Sequence, residues 1–324
     1  EISAVEPHIM DTLYIGGGTP TSLSMEELES LLSFLDGYHD LSTEFSMEAN
    51  PESVDQKKAE LIAKFGVNRV SMGIQTFNPD ELALLNRSHT VEDIKLAIAC
   101  LRTAGIANIS IDLIYGLPNQ TLKTWEATLN QAVKLDIEHI SLYSLTIEEN
   151  SEFGRKGIQP ADPDLEADMY FKAVEILAQA GFNRYEISSF TRDKPSRHNL
   201  AYWHYDEFYG IGPGATQMIN HIRTLKTTNL DDYAKGKNLC EETLLNLDDE
   251  RFEFVMMGLR LSEGIDLERF AKRFGVRAEE LFKQAIDDNI TKKRLELTSG
   301  RLRCTEIGLA LLNDVLVSFL PDTP

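Results

Sequence analysis

The sequence predicts an α/β chain: a partial, parallel (β/α)6 barrel followed by a helical unit with a two-stranded wing. Three observations predict it. Short apolar runs alternate with amphipathic segments of roughly 10 to 15 residues, the pattern of βαβ units and a parallel sheet. The first five strands recur at nearly regular spacing without a detectable reversal, which favours a barrel or part-barrel over an open doubly wound sheet. Each of those strands also ends in polar residues, and in a parallel barrel all such ends lie on the one face where ligands bind.

The first apolar run, Leu13-Tyr14-Ile15, stops at Gly16-Gly17-Gly18-Thr19-Pro20-Thr21 and reads as strand, tight turn, helix. Successive glycines carry no Cβ, so their N–H and C=O groups can lie close against a ligand. The helix starts near Ser24, with Glu27 in capping-box spacing. A second strand, 44–49, closes on Asn50-Pro51, and its helix, 53–65, ends at Gly66. The third strand is 69–75; the polar stretch 86–90 splits its helix, and the second half, 91–104, ends at Gly105. Strand 108–115 stops at Gly116-Leu117-Pro118, helix 122–134 follows, and strand 139–145 is the fifth. Glu48 and Asp112 stand inside otherwise apolar strands, where an unpaired carboxylate would cost several kcal/mol, so they are expected to meet a positive or hydrogen-bonding ligand.

Beyond Glu149 the pattern changes. A long helix, 162–180, ends at Gly181, a sixth strand occupies 185–190, and the regularity then dissolves through 197–203 and 209–215. The expected organisation is a partial barrel over 1–220, a linker over 221–247 and a winged-helix-like domain over 248–324. The last comprises helices 250–260, 267–274 and 278–289, a hairpin at 295–304 and a final helix, 306–319. In so acidic a chain this wing is expected to pack or cover rather than to bind DNA.

Lys and Arg number 32 against 52 Asp and Glu, a formal charge of −20. Such a field repels phosphate backbones and anionic headgroups, and the densest basic cluster, Lys292-Lys293-Arg294, is too short to reverse it. Nucleic-acid binding is therefore not expected. With no apolar run of spanning length, neither is stable membrane insertion. Residues 1–8 lack the basic and apolar regions of a secretory leader, so a cytoplasmic location is expected. Cys100, Cys240 and Cys304 are too far apart in sequence for a disulfide framework or a C-x-x-C metal site. The glycine stretch is not a dinucleotide-binding fingerprint, since Thr21 holds its sixth position, and no phosphate loop, HExxH or GxSxG occurs.

Five stretches in order, Gly16-Gly17-Gly18-Thr19-Pro20, Met47-Glu48-Ala49-Asn50-Pro51, Gly73-Ile74-Gln75-Thr76-Phe77, Asn86-Arg87-Ser88-His89-Thr90 and Asp112-Leu113-Ile114-Tyr115-Gly116-Leu117-Pro118, resemble the radical S-adenosylmethionine (SAM) family. More narrowly they are similar to oxygen-independent coproporphyrinogen III oxidase and its heme-chaperone relatives. The resemblance implies that Gly17, Gly18 and Thr19 contact the amino-acid end of SAM, with Glu48 near that end or the ribose. It further implies that Arg87 meets the carboxylate, that Asp112 meets the ribose hydroxyls or a nearby polar group, and that Gln75 holds the remainder. SAM carries a carboxylate, an ammonium, a sulfonium and two hydroxyls, which suits one arginine, some carboxylates and bare backbone. The family's Cys-x3-Cys-x2-Cys segment, which holds a [4Fe-4S] cluster, belongs well before the glycine stretch, and only fifteen residues precede Gly16. The chain is thus expected to start after the barrel's first strand and cluster loop, and its own cysteines do not build the cluster.

His198-Asn199-Leu200-Ala201-Tyr202-Trp203 resembles the H-N-x-x-Y-W signature of the heme-chaperone branch. That resemblance implies heme contacts by His198, Asn199, Tyr202 and Trp203, with His204 as a substitute ligand, since histidine ligates heme iron and aromatics stack on the macrocycle. The function it implies is heme binding and delivery to an acceptor such as a respiratory enzyme. The rival is an oxidase that decarboxylates porphyrinogen propionates, and the sequence shows no evident basic residues for that substrate's carboxylates. Enzymatic activity is left open.

Overall fold

In the computed structural model, which describes residues 9–149 and 151–320, the chain forms two compact units, one of His8–His198 and the other of Asn199–Pro324. Residues 1–8, read above for a leader, lie outside the described residues.

The first unit begins with β1 (Thr12–Ile15), α1 (Met25–Leu35), β2 (Glu44–Ala49), α2 (Gln56–Lys64), β3 (Arg69–Gln75), α3 (Pro79–Leu84) and α4 (Val91–Thr103). It continues through β4 (Asn108–Tyr115), α5 (Leu122–Ala132), β5 (His139–Ser144), α6 (Glu152–Arg155), α7 (Pro163–Gln179), β6 (Asn183–Arg184) and β7 (Ser189–Thr191). One sheet runs in the order β1-β2-β3-β4-β5-β7-β6, and its first five strands are parallel. Capping chemistry sets the helix starts: Ser24 with Glu27, and Thr90 with Asp93, form reciprocal capping boxes. Phe45, Met47, Val70, Met72, Ile111 and Ile140 are fully buried, whereas the alternate positions Glu44, Ser46, Arg69, Ser71, Ser110 and Asp112 are polar. Side chains alternate between faces along a strand, so one sheet face is an apolar core and the other a polar surface able to hold a ligand.

The expected sixth strand, 185–190, is replaced by a short hairpin. β7 pairs antiparallel with β5 and β6 antiparallel with β7. The four residues between β6 and β7 are too few for the crossover a parallel neighbour needs. The irregular stretch after it is α8 (Arg197–Trp203), a helix that straddles the division between the two units.

In the second unit β8 (Thr216–Ile219), β9 (Ile222–Lys226), α9 (Leu230–Ala234) and β10 (Leu239–Leu244) build an antiparallel three-stranded sheet. Residues 221–247, expected as a linker, therefore carry two strands and a helix, and the compact units part at His198/Asn199 rather than at 220. Asn220 and His221, at φ 51° and 67°, make the tight turn that lets β8 and β9 pair. Then come α10 (Leu247–Gly258), β11 (Ile265–Asp266), α11 (Leu267–Phe274), α12 (Ala278–Leu281), α13 (Lys283–Thr291), β12 (Leu295–Thr298), β13 (Arg301–Cys304), α14 (Glu306–Ala310) and α15 (Leu312–Val317). The wing β12–β13 gains a third strand, β11, and Phe254, Phe270, Phe274, Phe282 and Phe319 pack in successive ring contacts in the same unit.

Candidate functional site

The carboxyl ends of β1 to β5 surround a cavity of about 360 Å3, and Gly17, Gly18, Thr19, Glu48, Gln75, Arg87 and Asp112 all line it. Seven residues spread over nearly a hundred positions of sequence are thereby brought together. Each owes its place to local structure. Gly17, at φ +104°, turns the chain after β1, and a Cβ on Gly17 or Gly18 would meet nothing within 4 Å, so bare backbone borders open space. Glu48 ties this turn to the sheet: one oxygen accepts from the Tyr14 hydroxyl at 2.5 Å and the other from the Gly17 N–H at 3.1 Å. Asn50, just past β2, donates to the Thr19 hydroxyl at 2.9 Å. Gln75 sits at φ +71° where the β3–β4 register shifts, an irregularity of the kind that re-aims side chains beside functional sites.

Arg87 follows Asn86, whose left-handed φ of 53° ends α3 and lets the Arg87 N–H return to the Leu82 carbonyl at 2.9 Å. Arg87 lines the cavity, and its guanidinium has no carboxylate partner among the described residues. In a chain with twenty more acidic than basic residues, an arginine left unpaired inside a cavity is a ready anion receptor. Asp112 is its counterpart. Burial pushes its carboxyl up to about 6, Glu48 adds repulsion, and hydrogen bonds from Ser141 and Ser71 together with Arg69 oppose the shift. The Ser71 hydroxyl lies 3.2 Å from both Asp112 oxygens. Burial, and then the Glu48 charge, raise the Tyr14 hydroxyl so that it stays a neutral donor to Glu48.

The donor set fits SAM. A cavity in the ordinary range for a small ligand, roughly 300–1,000 Å3, offers a lone guanidinium, two carboxylates, an amide and exposed glycine backbone. A cluster is a different matter. Among the described residues no three His, Cys, Asp or Glu side chains converge as ligands, and Cys100, Cys240 and Cys304 are separate free thiols, the first and last buried.

The residues expected around heme do not gather as the seven do. His198 stacks on Tyr14 with ring centroids 4.6 Å apart, its Nδ1 is 3.1 Å from the Thr12 hydroxyl, and burial lowers its imidazole to about 4. Its backbone N–H donates to Glu44 at 2.9 Å. Asn199 is half-buried on α8, Tyr202 packs edge-on against Phe208 at 4.5 Å, and Trp203 lines a separate small cavity in the second unit.

Sequence reasoning missed Tyr14, Asn50 and Ser71 as parts of the site. The signal was present in the polar alternation of Arg69, Ser71 and Gly73 and of Ser110 and Asp112, which places Ser71 on the face that carries Asp112. Tyr143, on the fifth strand, also lines the cavity.

The sequence profile of the Radical SAM superfamily matches residues 2–132, and that of the HemN C-terminal domain matches 245–311. The heme chaperone HemW of Lactococcus lactis is 35% identical over 99% of this chain and 88% of its own length. That of Bacillus subtilis is 35% identical over 96% of this chain and 86% of its own. Among solved structures, coproporphyrinogen III oxidase (HemN) from Escherichia coli, described as a radical SAM enzyme, superposes with a TM-score of 0.82 over 96% of this chain and 77% of its own at 21% identity, a likeness of fold. No helix among the described residues is long and apolar enough to cross a membrane.

Proposed function

Because the chain belongs to the radical SAM superfamily, within the group of HemW heme chaperones, we propose that it binds SAM at the strand-end cavity of its first unit and carries heme to an acceptor protein. The observation that carries the SAM half is the unpaired Arg87 guanidinium in a cavity lined by all seven expected residues. Arg87 receives the ligand's carboxylate through a charge-assisted pair. Gly17, Gly18 and Thr19 offer backbone to the amino-acid end, while Glu48, fixed by Tyr14 and Gly17, presents negative charge to the ammonium or a hydroxyl. Asp112 accepts from the ribose hydroxyls, held in place by Ser71, and Gln75 closes the remaining side. SAM, when bound, supplies a cationic sulfonium with an activated carbon–sulfur bond. The [4Fe-4S] cluster belongs to the family reading, and the residues described in this chain give it no ligand set.

Heme is cargo in this reading. Similarity to a heme chaperone over 99% of this chain supports it, as does α8, on which His198 and Tyr202, and Asn199 and Trp203, stand four apart and so share faces. His198 is neutral above about 4, the form in which imidazole ligates iron. A cytoplasmic place of action and a respiratory enzyme as acceptor go with this reading.

Heme titration of the chain and of His198→Ala tests it. A saturable Soret change that weakens at least several-fold in the variant is expected, followed by transfer to a heme-free acceptor. Indistinguishable curves remove His198 as a ligand, and anaerobic conversion of coproporphyrinogen III to protoporphyrinogen by a version that also carries the family's cysteine segment hands the function to the oxidase.

A further inference from the structure

Glu48 lines the strand-end cavity, but its orientation is set by a ring outside it. One carboxylate oxygen accepts from the Tyr14 hydroxyl at 2.5 Å and the other from the Gly17 N–H at 3.1 Å. The first contact is only as fixed as the Tyr14 ring, which is 37% exposed. The hydroxyl stands at the far end of that ring, so a small rotation of the side chain carries it out of hydrogen-bonding reach.

Two neighbours confine the ring. A Cβ on Gly16 would fall 2.5 Å from Tyr14 Cε1 and 2.9 Å from Glu48 Oε1, so ring and carboxylate both rest against bare backbone. The other neighbour is His198, whose ring is stacked on that of Tyr14 with centroids 4.6 Å apart and 10° between the planes. His198 is itself anchored. Its Nδ1 is 3.1 Å from the hydroxyl of Thr12, which stands two residues before Tyr14 on β1 and so on the same face of the strand. Glu44 accepts from the Ser196 hydroxyl at 3.1 Å and from the backbone N–H groups of Arg197 and His198 at 2.9 Å each, which fastens the start of α8 to β2. The Arg197 guanidinium adds a hydrogen bond to the Ser42 carbonyl at 2.6 Å. All of these residues belong to the first unit. Burial lowers the His198 imidazole to about 4, so at neutral pH it brings no positive charge to compete with Tyr14 for Glu48.

We propose that His198 is a positioning residue for the SAM receptor: its ring clamps Tyr14, and through the Tyr14 hydroxyl it holds the Glu48 carboxylate in place. The inference rests on the SAM reading above and is independent of the heme reading, beside which it gives the same imidazole a second duty. Neither His198 nor Tyr14 lines the cavity, so their influence reaches the ligand through Glu48, which does.

Calorimetric titration with SAM tests the clamp in the whole chain, His198→Ala, His198→Phe, Tyr14→Phe and the combination of His198→Ala with Tyr14→Phe. His198→Ala is expected to weaken affinity about three- to tenfold, the scale of one aromatic pair. His198→Phe keeps a ring to stack, though neither an iron-ligating nitrogen nor the contact with Thr12, and should stay within about twofold of the unaltered chain. In Tyr14→Phe, where no hydroxyl is left to aim, adding His198→Ala should cost less than about twofold. Parental affinity in His198→Ala overturns the proposal. So does His198→Phe binding as weakly as His198→Ala, or an equal loss when His198→Ala is added to either background. If His198→Ala unfolds by circular dichroism, His198→Gln, which keeps a polar reach to Thr12 without a ring, takes its place, with the same loss expected and parental affinity contradicting the clamp. No saturable SAM binding by the unaltered chain overturns the SAM reading itself, and the clamp with it.

Discussion

Replacing Asp112 by asparagine is expected to stabilise the protein at neutral pH although it removes a residue assigned to ligand binding. Burial, with help from Glu48, pushes the carboxyl from the ordinary aspartate value of about 3.9 up to about 6. The folded chain therefore holds the proton more tightly than the unfolded chain. Stability falls as pH rises from about 4 to about 6, and the full penalty applies above that window. Two pKa steps at about 1.36 kcal/mol each give roughly 3 kcal/mol for keeping Asp112 ionised at neutrality. Asparagine is neutral and nearly isosteric and can still accept from Ser71, but it loses the charge assistance of those hydrogen bonds, so about 1–2 kcal/mol should be recovered. At roughly 2–4 °C per kcal/mol, calorimetry near pH 7.5 should show the melting temperature of the first unit rising by several degrees. Near pH 4.5 the penalty falls to about a third, because Asp112 is then protonated in the folded state, and the gain should shrink accordingly. A variant less stable than the parent at pH 7.5, or equally stabilised at both pH values, would refute the assignment of a desolvated carboxylate at this position.

Tyr14→Phe keeps the ring that stacks on His198 but deletes the donor to Glu48. Calorimetric titration with SAM should show affinity falling about ten- to a hundredfold, in line with a charge-assisted hydrogen bond of about 1.5–3 kcal/mol, while circular dichroism stays unchanged; unaltered affinity would make Tyr14 a packing residue only. In the second unit Glu250 is only 2% exposed and accepts from His221 at 2.5 Å and from Arg273 at 3.4 Å. Glu250→Ala should destabilise that unit by about 2–4 kcal/mol, measured by urea unfolding, because it strands a half-buried guanidinium; a loss below about 0.5 kcal/mol would show the network to be ornamental.

The repeating β/α order, the helix caps and the convergence of the strand ends were legible because each follows from local rules. Ser24 with Glu27 fixes the start of α1, and Gly66 and Gly105 at φ +87° and +90° mark the ends of α2 and α4. The antiparallel β7 was not legible. Nothing local distinguishes the strand Ser189–Thr191 from a parallel neighbour; only the short return from β6 does. The sheet over 216–244 escaped for a related reason. β10 is exposed along its whole length and carries no alternating apolar signal, and the Asn220-His221 turn lacks the glycine that marks most such hairpins. In the site, charged residues interrupting apolar strands were conspicuous, while Ser71 and Tyr14, which orient those charges, look ordinary until hydrogen bonds join them to Asp112 and Glu48.

The central claim is that side chains from five successive strands and their loops form one receptor for SAM. Isothermal titration of the chain with SAM, repeated with Arg87→Ala and Glu48→Gln, tests it most directly. Saturation at a single site, with each substitution weakening affinity at least tenfold while the fold is retained, is the predicted result. No saturable heat with the parent chain, or the same affinity in all three proteins, would contradict it.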